Sequence, residues 1–206
     1  MAVGSQRASN TMKYETFDGE VTEISPDVVE KAKLIRFIAF DFDGVFTDGM
    51  VYTDQNGIES VRCSRRDGLA LVDMIPPSGI HAYIISKEKN PVVEARAKKM
   101  KTPYFQGVPG ASDKLAIFKE AVEKEGCTLA EAAYMGDDLN DLHTLEAAGL
   151  SVAVQDAHPR VRKSVDLITS ARGGHHAVRE LVEIILLAQG KDPAELVEQH
   201  NHPDSR

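Results

Sequence analysis

Two groups of aspartates sit at spacings that chemistry could use. The first is Asp41-Phe42-Asp43-Gly44; the second is Gly136-Asp137-Asp138, with Asp141 three residues further on. A single aspartate after a strand usually caps a helix or makes a turn. Two groups of close carboxylates call for more, because like charges at short range repel unless a cation or a proton joins them. Carboxylate, carbonyl and water oxygens are the ligand set expected for Mg²⁺. A carboxylate beside such an ion can serve as a nucleophile, since the ion screens its charge from a phosphate and holds the two in line. In that arrangement Asp41 is the candidate nucleophile. Asp43 could protonate the leaving oxygen and later activate water.

The elements that would position these groups are legible from apolar periodicity. Residues 34–40 form a nearly continuous apolar run that ends at Asp41, as expected for a strand buried on both faces of a parallel sheet. Residues 132–135 are a second such strand, ending at the second acidic group. Ligands bind beyond the carboxyl ends of the strands in sheets of this kind. Ser86 follows a third strand, residues 81–85, so its hydroxyl lies at the same edge. Lys114 stands at the start of an amphipathic helix, residues 113–124, and could reach the phosphate or the Asp41 carboxylate. Either residue alone reads as a cap or a solvated group; their order after Asp41 raises them.

Between these points strands and helices alternate. Helices are expected from Pro26, over 91–101, 139–148 and 177–188, and strands at 104–105, 151–154 and 167–168. Asp67-Gly68 is expected to open a helix running to about Ile75, with Pro76-Pro77 stopping it. Asp54-Gln55-Asn56-Gly57 between two short apolar-alternating runs predicts a β-hairpin over about 49–61. The fold class is therefore α/β: a three-layer, Rossmann-like, mostly parallel sheet with a hairpin flap and no cap domain. Residues 1–26 are expected as a disordered segment or an extension, residues 27–190 as the catalytic domain and residues 191–206 as a polar tail.

Composition narrows the function further. The 206 residues are 42% hydrophobic and 27% charged, with a formal net charge of −8. That balance excludes a surface built to track nucleic-acid phosphates, which needs a basic face. No apolar run reaches membrane-spanning length, so no membrane partner is expected. Two cysteines, Cys63 and Cys127, do not make a disulfide framework. They read as reduced thiols of a cytoplasmic protein.

The motifs D-F-D-G-V-F-T-D-G from Asp41, Ser86 after a strand, Lys114, and G-D-D-L-N-D from Gly136 resemble the haloacid dehalogenase superfamily of phosphohydrolases over about residues 34 to 190. The stretches D-G-V-F-T-D-G-x-V-Y, R-D-G-L-A-L, S-V-A-V-Q-D-A-H-P and G-G-x-x-A-V-R-E are similar to a narrower group. These are the phosphatases of 3-deoxy-octulosonate (KDO) 8-phosphate and of acylneuraminate 9-phosphates, and the phosphatase-type domain of some acylneuraminate cytidylyltransferases. The resemblance implies that Asp41 is the nucleophile and Asp43 the general acid/base, with Ser86 and Lys114 holding the phosphoryl group. It implies Mg²⁺ on the Asp41 and Asp137 side chains and the Asp43 carbonyl, supported by Asp138 and Asp141.

Two places depart from that group. Ser86-Lys87-Glu88 stands where a glycine-containing triplet is usual, and His175-His176 follows Gly173-Gly174 where an arginine is usual. Both leave the sugar open. Adjacent residues seldom aim at one ion, so the histidines are not read as a metal site. Arg66, Lys87, Lys89 and Arg172 are the candidates for a substrate carboxylate. The expected substrate is a phosphorylated 2-keto-3-deoxy sugar acid. The competing reading is a catalytically weak module that assembles a cytidylyltransferase; a mutase or dehalogenase would need a cap domain for which the intervals have no room. A hairpin is marginal alone in water, so the flap is expected to pack against like flaps in a homotetramer.

Overall fold

The computed structural model describes residues 11–201. Met12–Glu15 (β1) and Val21–Ile24 (β2) pair antiparallel, with Met12 opposite Ile24. This corrects the expectation of an extension: residues 1–10 lie outside the described residues, but 12–24 form a hairpin. Its strands are four residues each, too short for their alternation to register as a pattern. Tyr14 and Ile24 point inward and are buried. The Tyr14 hydroxyl donates to Glu183 Oε2 at 2.8 Å.

Pro26–Leu34 (α1) starts as expected, with Ser25 Oγ accepting from Val28 N. The apolar run expected as a strand over 34–40 becomes one only at Phe37–Phe40 (β3), every residue buried; Leu34 ends α1 and is exposed, and Ile35 caps it. Tyr52–Thr53 (β4) and Glu59–Ser60 (β5) make the hairpin predicted by the Asp54–Gly57 turn. Asp54 Oδ1 accepts from Asn56 N and Ile58 N, and Gly57 takes φ +77°.

The next segment differs from expectation. The helix opens two residues early, at Arg65–Leu69 (α2), because Ser64 rather than Asp67 caps it. A π turn over Ala70–Met74 leads into Ile75–Ser78 (α3). Pro76-Pro77 do not stop it. They fall in the first positions of that last turn, where a missing N–H costs least. The stop is Gly79, left-handed at φ +76°.

His81–Ile85 (β6), Val92–Lys99 (α4), Tyr104–Phe105 (β7), Ala111–Lys124 (α5) and Ala132–Gly136 (β8) follow the predicted order. Leu139–Asp141 is a 3₁₀ turn before Leu142–Ala147 (α6), then come Leu150–Ala153 (β9), Pro159–Arg162 (α7), Leu167–Ile168 (β10) and Ala177–Ala188 (α8). The supposed polar tail is corrected too. Residues 202–206 lie outside the described residues, but Pro193–Asn201 (α9) is a helix with Leu196 buried. Asp192-Pro193 is its start signal, with Asp192 Oδ1 accepting from Ala194 N.

Six strands form one parallel sheet in the order β10-β9-β8-β3-β6-β7. Helices α1, α2, α8 and α9 pack among themselves, and α5 packs separately on α6. The sheet between them is covered on both faces, which is why β3, β8 and β9 bury every residue. From β3 the chain moves outward to β6 and β7, then returns to β8 on the other side. The strand order thus reverses between β3 and β8, so Asp41 and Asp137 leave the sheet at its topological switch point.

Candidate active site

β3 and β8 are neighbours in register, Phe40 beside Met135, so the residues after them emerge side by side. Asp41 N donates to Met135 O at 2.9 Å, which extends the ladder one step and fixes where the Asp41 side chain leaves. Its Oδ1 accepts from Phe42 N at 2.7 Å, and its Oδ2 lies 2.9 Å from Lys114 Nζ. Lys114 comes from the first turn of α5 and is wholly buried. Its ammonium also donates to Asp141 Oδ1 at 2.7 Å.

Asp141 is the hub beneath the site. It accepts from Lys114, from the Tyr134 hydroxyl at 2.8 Å, and from the backbone N–H groups of Asp137 and Asp138. A buried carboxylate with four donors is satisfied and fixed. It orients the lysine below and the acidic loop above at once. Asp138 turns its Oδ1 to Leu139 N and caps the 3₁₀ turn.

Asp41, Asp43, Gly44, Gly49, Ser86, Lys87, Glu88, Asp137, Asp138 and Asn140 line a cleft of about 360 Å³. Ser86 sits where β6 ends; its Oγ accepts from Glu88 N, and its carbonyl accepts from Val108 N. Among the described residues, oxygens of Asp41, Asp137 and Asp141 lie within 4.8 Å of one another. Burial pushes the Asp41 carboxyl up to about 7, with Asp141 adding to the rise and Lys114 opposing it. Burial and the neighbouring Asp41 and Asp141 push Asp137 up to about 8. Asp43 is also raised, by burial and then by Glu88. Burial works against the Lys114 ammonium, but Asp41 and Asp141 outweigh it and hold its pKa above the ordinary lysine value.

Crowded carboxylates of this kind are relieved by a divalent cation. The residues fit one. The Asp137 carboxylate occupies the space a side chain at Gly44 would fill, with Oδ2 only 2.0 Å from that Cβ position. The loop after β3 thus makes room for an oxygen ligand from the loop after β8.

The expected substrate-binding cations separate. Lys87 lines the cleft. Lys89 does not; its backbone N–H is held by Glu88. Arg66 packs over the Phe17 ring and donates toward His176, and Arg172 faces a second cavity beside Asp156. Sequence reasoning missed Glu88, Asn140 and Tyr134. Glu88 and Asn140 adjoin singled-out residues, so adjacency was the available signal; Tyr134 had none, reading as one more apolar strand position.

Residues 77–179 match the family model of haloacid dehalogenase-like hydrolases. The chain is 40% identical over 168 residues to the 3-deoxy-D-manno-octulosonate 8-phosphate phosphatase KdsC of Escherichia coli (strain K12), covering 82% of this chain and 88% of that protein. The crystal structure of the Yersinia pestis 3-deoxy-D-manno-octulosonate 8-phosphate phosphatase superposes with a TM-score of 0.79 at 37% identity, over 88% of this chain and 95% of that one. The Moraxella catarrhalis enzyme, solved with magnesium ion, phosphate ion and a KDO molecule, gives 0.74 at 36% identity, over 80% and 92%. Fold, acidic strand ends and these likenesses agree: the chain belongs to the haloacid dehalogenase-like hydrolases, in the group of the KDO 8-phosphate phosphatases.

Proposed function

We propose that this enzyme is a Mg²⁺-dependent phosphatase that forms an aspartyl-phosphate on Asp41, with a phosphorylated 2-keto-3-deoxy sugar acid as substrate. KDO 8-phosphate is the favoured member, on the likeness to the named phosphatases. The observation that carries the reading is the buried line Asp41–Lys114–Asp141 at the floor of an oxygen-lined cleft. A surface salt bridge would be no argument; a lysine wholly enclosed between two carboxylates at a sheet's switch point serves a site.

The Asp41 and Asp137 carboxylates and the Asp43 carbonyl would hold Mg²⁺, which when bound neutralises charge on the phosphoryl oxygens. Asp138 and Asp141 support that set. Asp41 Oδ attacks phosphorus while Asp43 gives its proton to the departing sugar oxygen. Asp43 then takes a proton from the water that cleaves the acyl phosphate. Its raised pKa suits the first half of that task. Ser86 Oγ and the Lys114 ammonium hold the phosphoryl oxygens. Lys87, at the cleft wall, takes the sugar carboxylate.

We assign residues 27–190 to the catalytic domain, with 49–61 as its flap and with the β1–β2 hairpin and α9 packed onto its core through Tyr14, Ile24 and Leu196. Met50, Val51, Tyr52 and Ile58 on that flap are all about half exposed or more, a face that like flaps would cover in a homotetramer. Among the described residues no helix is long and apolar enough to cross a membrane. The free thiols of Cys63 and Cys127 suit a reducing, cytoplasmic compartment. The test is phosphate release from a panel of sugar phosphates with Mg²⁺ and with EDTA. KDO 8-phosphate should lead the panel and EDTA should abolish turnover. Equal activity on neutral hexose phosphates would remove the sugar-acid assignment, and metal-independent turnover would remove the mechanism.

A further inference from the structure

His175 and His176 follow the Gly173-Gly174 turn, and the reaction above gives them no task. Both rings are committed to the same kind of partner. His175 Nδ1 lies 2.9 Å from Gly173 O, and its Nε2 lies 3.1 Å from Arg62 Nη2. A carbonyl only accepts and a guanidinium only donates. His175 therefore carries its proton on Nδ1 and accepts at Nε2. His176 Nε2 lies 3.1 Å from Arg66 Nη1 and its Nδ1 lies 3.0 Å from Ser64 Oγ. Arg66 imposes the same neutral tautomer, with Nδ1–H donating to the Ser64 hydroxyl.

His176 also holds a left-handed backbone, φ +78°, which side-chain-bearing residues adopt rarely. Such a conformation persists where the surroundings fix it, and it marks functional segments. Here the ring is fixed by Ser64, by Arg66 and by the edge of Phe17, at 5.1 Å between centroids.

The two arginines flank the point where the flap returns to the domain. Between them Cys63 bridges to Thr47, and Ser64 caps α2. The histidines' own turn lies under the start of the flap. Gly174 N donates to Val45 O at 3.0 Å, and a Cβ at Gly173 would fall 1.9 Å from Gly44 O. One side of the pair thus rests on the nucleophile loop and the other grips the flap's returning arm.

We propose that His175 and His176 are positioning residues forming a proton-sensitive double latch, which closes the base of the 49–61 flap when neutral and releases it when protonated. A protonated imidazole has no acceptor left, so its Nε2–H would face a guanidinium N–H. The groups around the His176 ring decide how firmly it stays neutral. His176 faces Arg66 from α2, Arg179 from α8 and the adjacent His175, against Asp18 from the β1–β2 turn. Burial and then Arg66 hold it below the ordinary histidine pKa. His175 faces Arg62, itself paired to Asp48 at 2.9 Å, and Asp67 of α2. The consequence for turnover rests on the phosphatase reading; the latch itself does not.

The test follows the Met50 and Ile58 methyl resonances and the histidine ring resonances of the full chain from about pH 4.5 to about pH 8. In parallel, kcat/KM is measured for para-nitrophenyl phosphate with Mg²⁺. The flap methyls and the His176 ring should titrate with one midpoint in the wild type. In the His175→Asn/His176→Asn variant the methyls should stop titrating, because asparagine accepts the left-handed backbone but carries no titrating proton. Wild-type kcat/KM should fall toward acid by about fivefold more than the variant's. Flap methyls that ignore pH in the wild type, or that titrate equally in the variant, overturn the latch even where phosphate release is normal. Should the variant not fold, coincidence or divergence of the wild-type midpoints decides alone. Coincident titrations with no phosphate release would sink the phosphatase reading and leave the latch standing.

Discussion

A Cβ added at Gly44 would stand 2.0 Å from Asp137 Oδ2, so one strand-end loop leaves a gap that the other fills with a carboxylate. Gly44 also takes φ +76°, a left-handed backbone in which glycine alone is unstrained. Gly44→Ala should displace Asp137 as well as strain the loop. Displacements near 1 Å in such sites cost about 100-fold in rate, and we expect a loss of at least that order in kcat. The strain should cost about 1–3 kcal/mol in urea unfolding. Near-parent turnover in the Ala variant would show that the Asp137 position is not needed.

Removing the buried lysine should be far worse for the fold than removing an exposed one. Lys114→Met leaves Asp41 and Asp141 facing each other without a cation. Stripping one partner from a buried ion pair costs about 3–5 kcal/mol. Lys33→Ala, which breaks an exposed helical pair with Glu30, should cost about 0.5 kcal/mol or less. Urea unfolding of the two variants gives the comparison. A Lys114→Met protein as stable as the parent would mean the two aspartates relax apart.

Asp67 predicts a pH dependence of stability remote from the cleft. It is fully enclosed on α2, its Oδ1 accepts from Arg179 N at 3.0 Å, and Oδ2 has no hydrogen-bond partner among the described residues. Burial pushes its carboxyl up to about 7. In the unfolded chain it titrates near the ordinary aspartate value of about 4. Between those values the folded state binds more protons than the unfolded one. Stability therefore falls as pH rises through that window and levels off above it. Asp67→Asn keeps the acceptor and removes the charge, so its stability should decline less from about pH 5 to about pH 8 in urea titrations. A parent whose stability rises relative to the variant across this range would contradict the assignment.

The sheet and its acidic edge were legible because buried parallel strands write themselves as apolar runs. Residues 37–40 and 132–135 could be read directly, although Leu34 and Ile35, apolar themselves, end α1 and hide where the first strand starts; Asp41, Asp43 and Asp137 came with them as strand-end carboxylates. What escaped was carried by single contacts. Tyr14 and Ile24 anchor a hairpin whose strands are too short to show a period. Ser64 outcompetes Asp67 as a helix cap because Asp67 is drawn inward to Arg179. Of the four candidate cations only Lys87 lines the cleft; Arg66 and Arg172 belong to the far side of the Gly173-Gly174 turn, a separation made by tertiary packing. The role of Asp141 as a hub for Lys114, Tyr134 and two backbone N–H groups depends on three elements meeting.

Whether Asp41 carries the phosphoryl group is decided by rapid acid quench of the enzyme during turnover of KDO 8-phosphate, followed by mass analysis of the peptide containing Asp41. Asp41 should gain a phosphoryl increment that disappears when substrate is exhausted. Asp41→Asn, which keeps the side-chain shape but loses the nucleophilic charge, should show neither the increment nor phosphate release. Phosphate release from the Asn variant at near the parent rate would contradict that role.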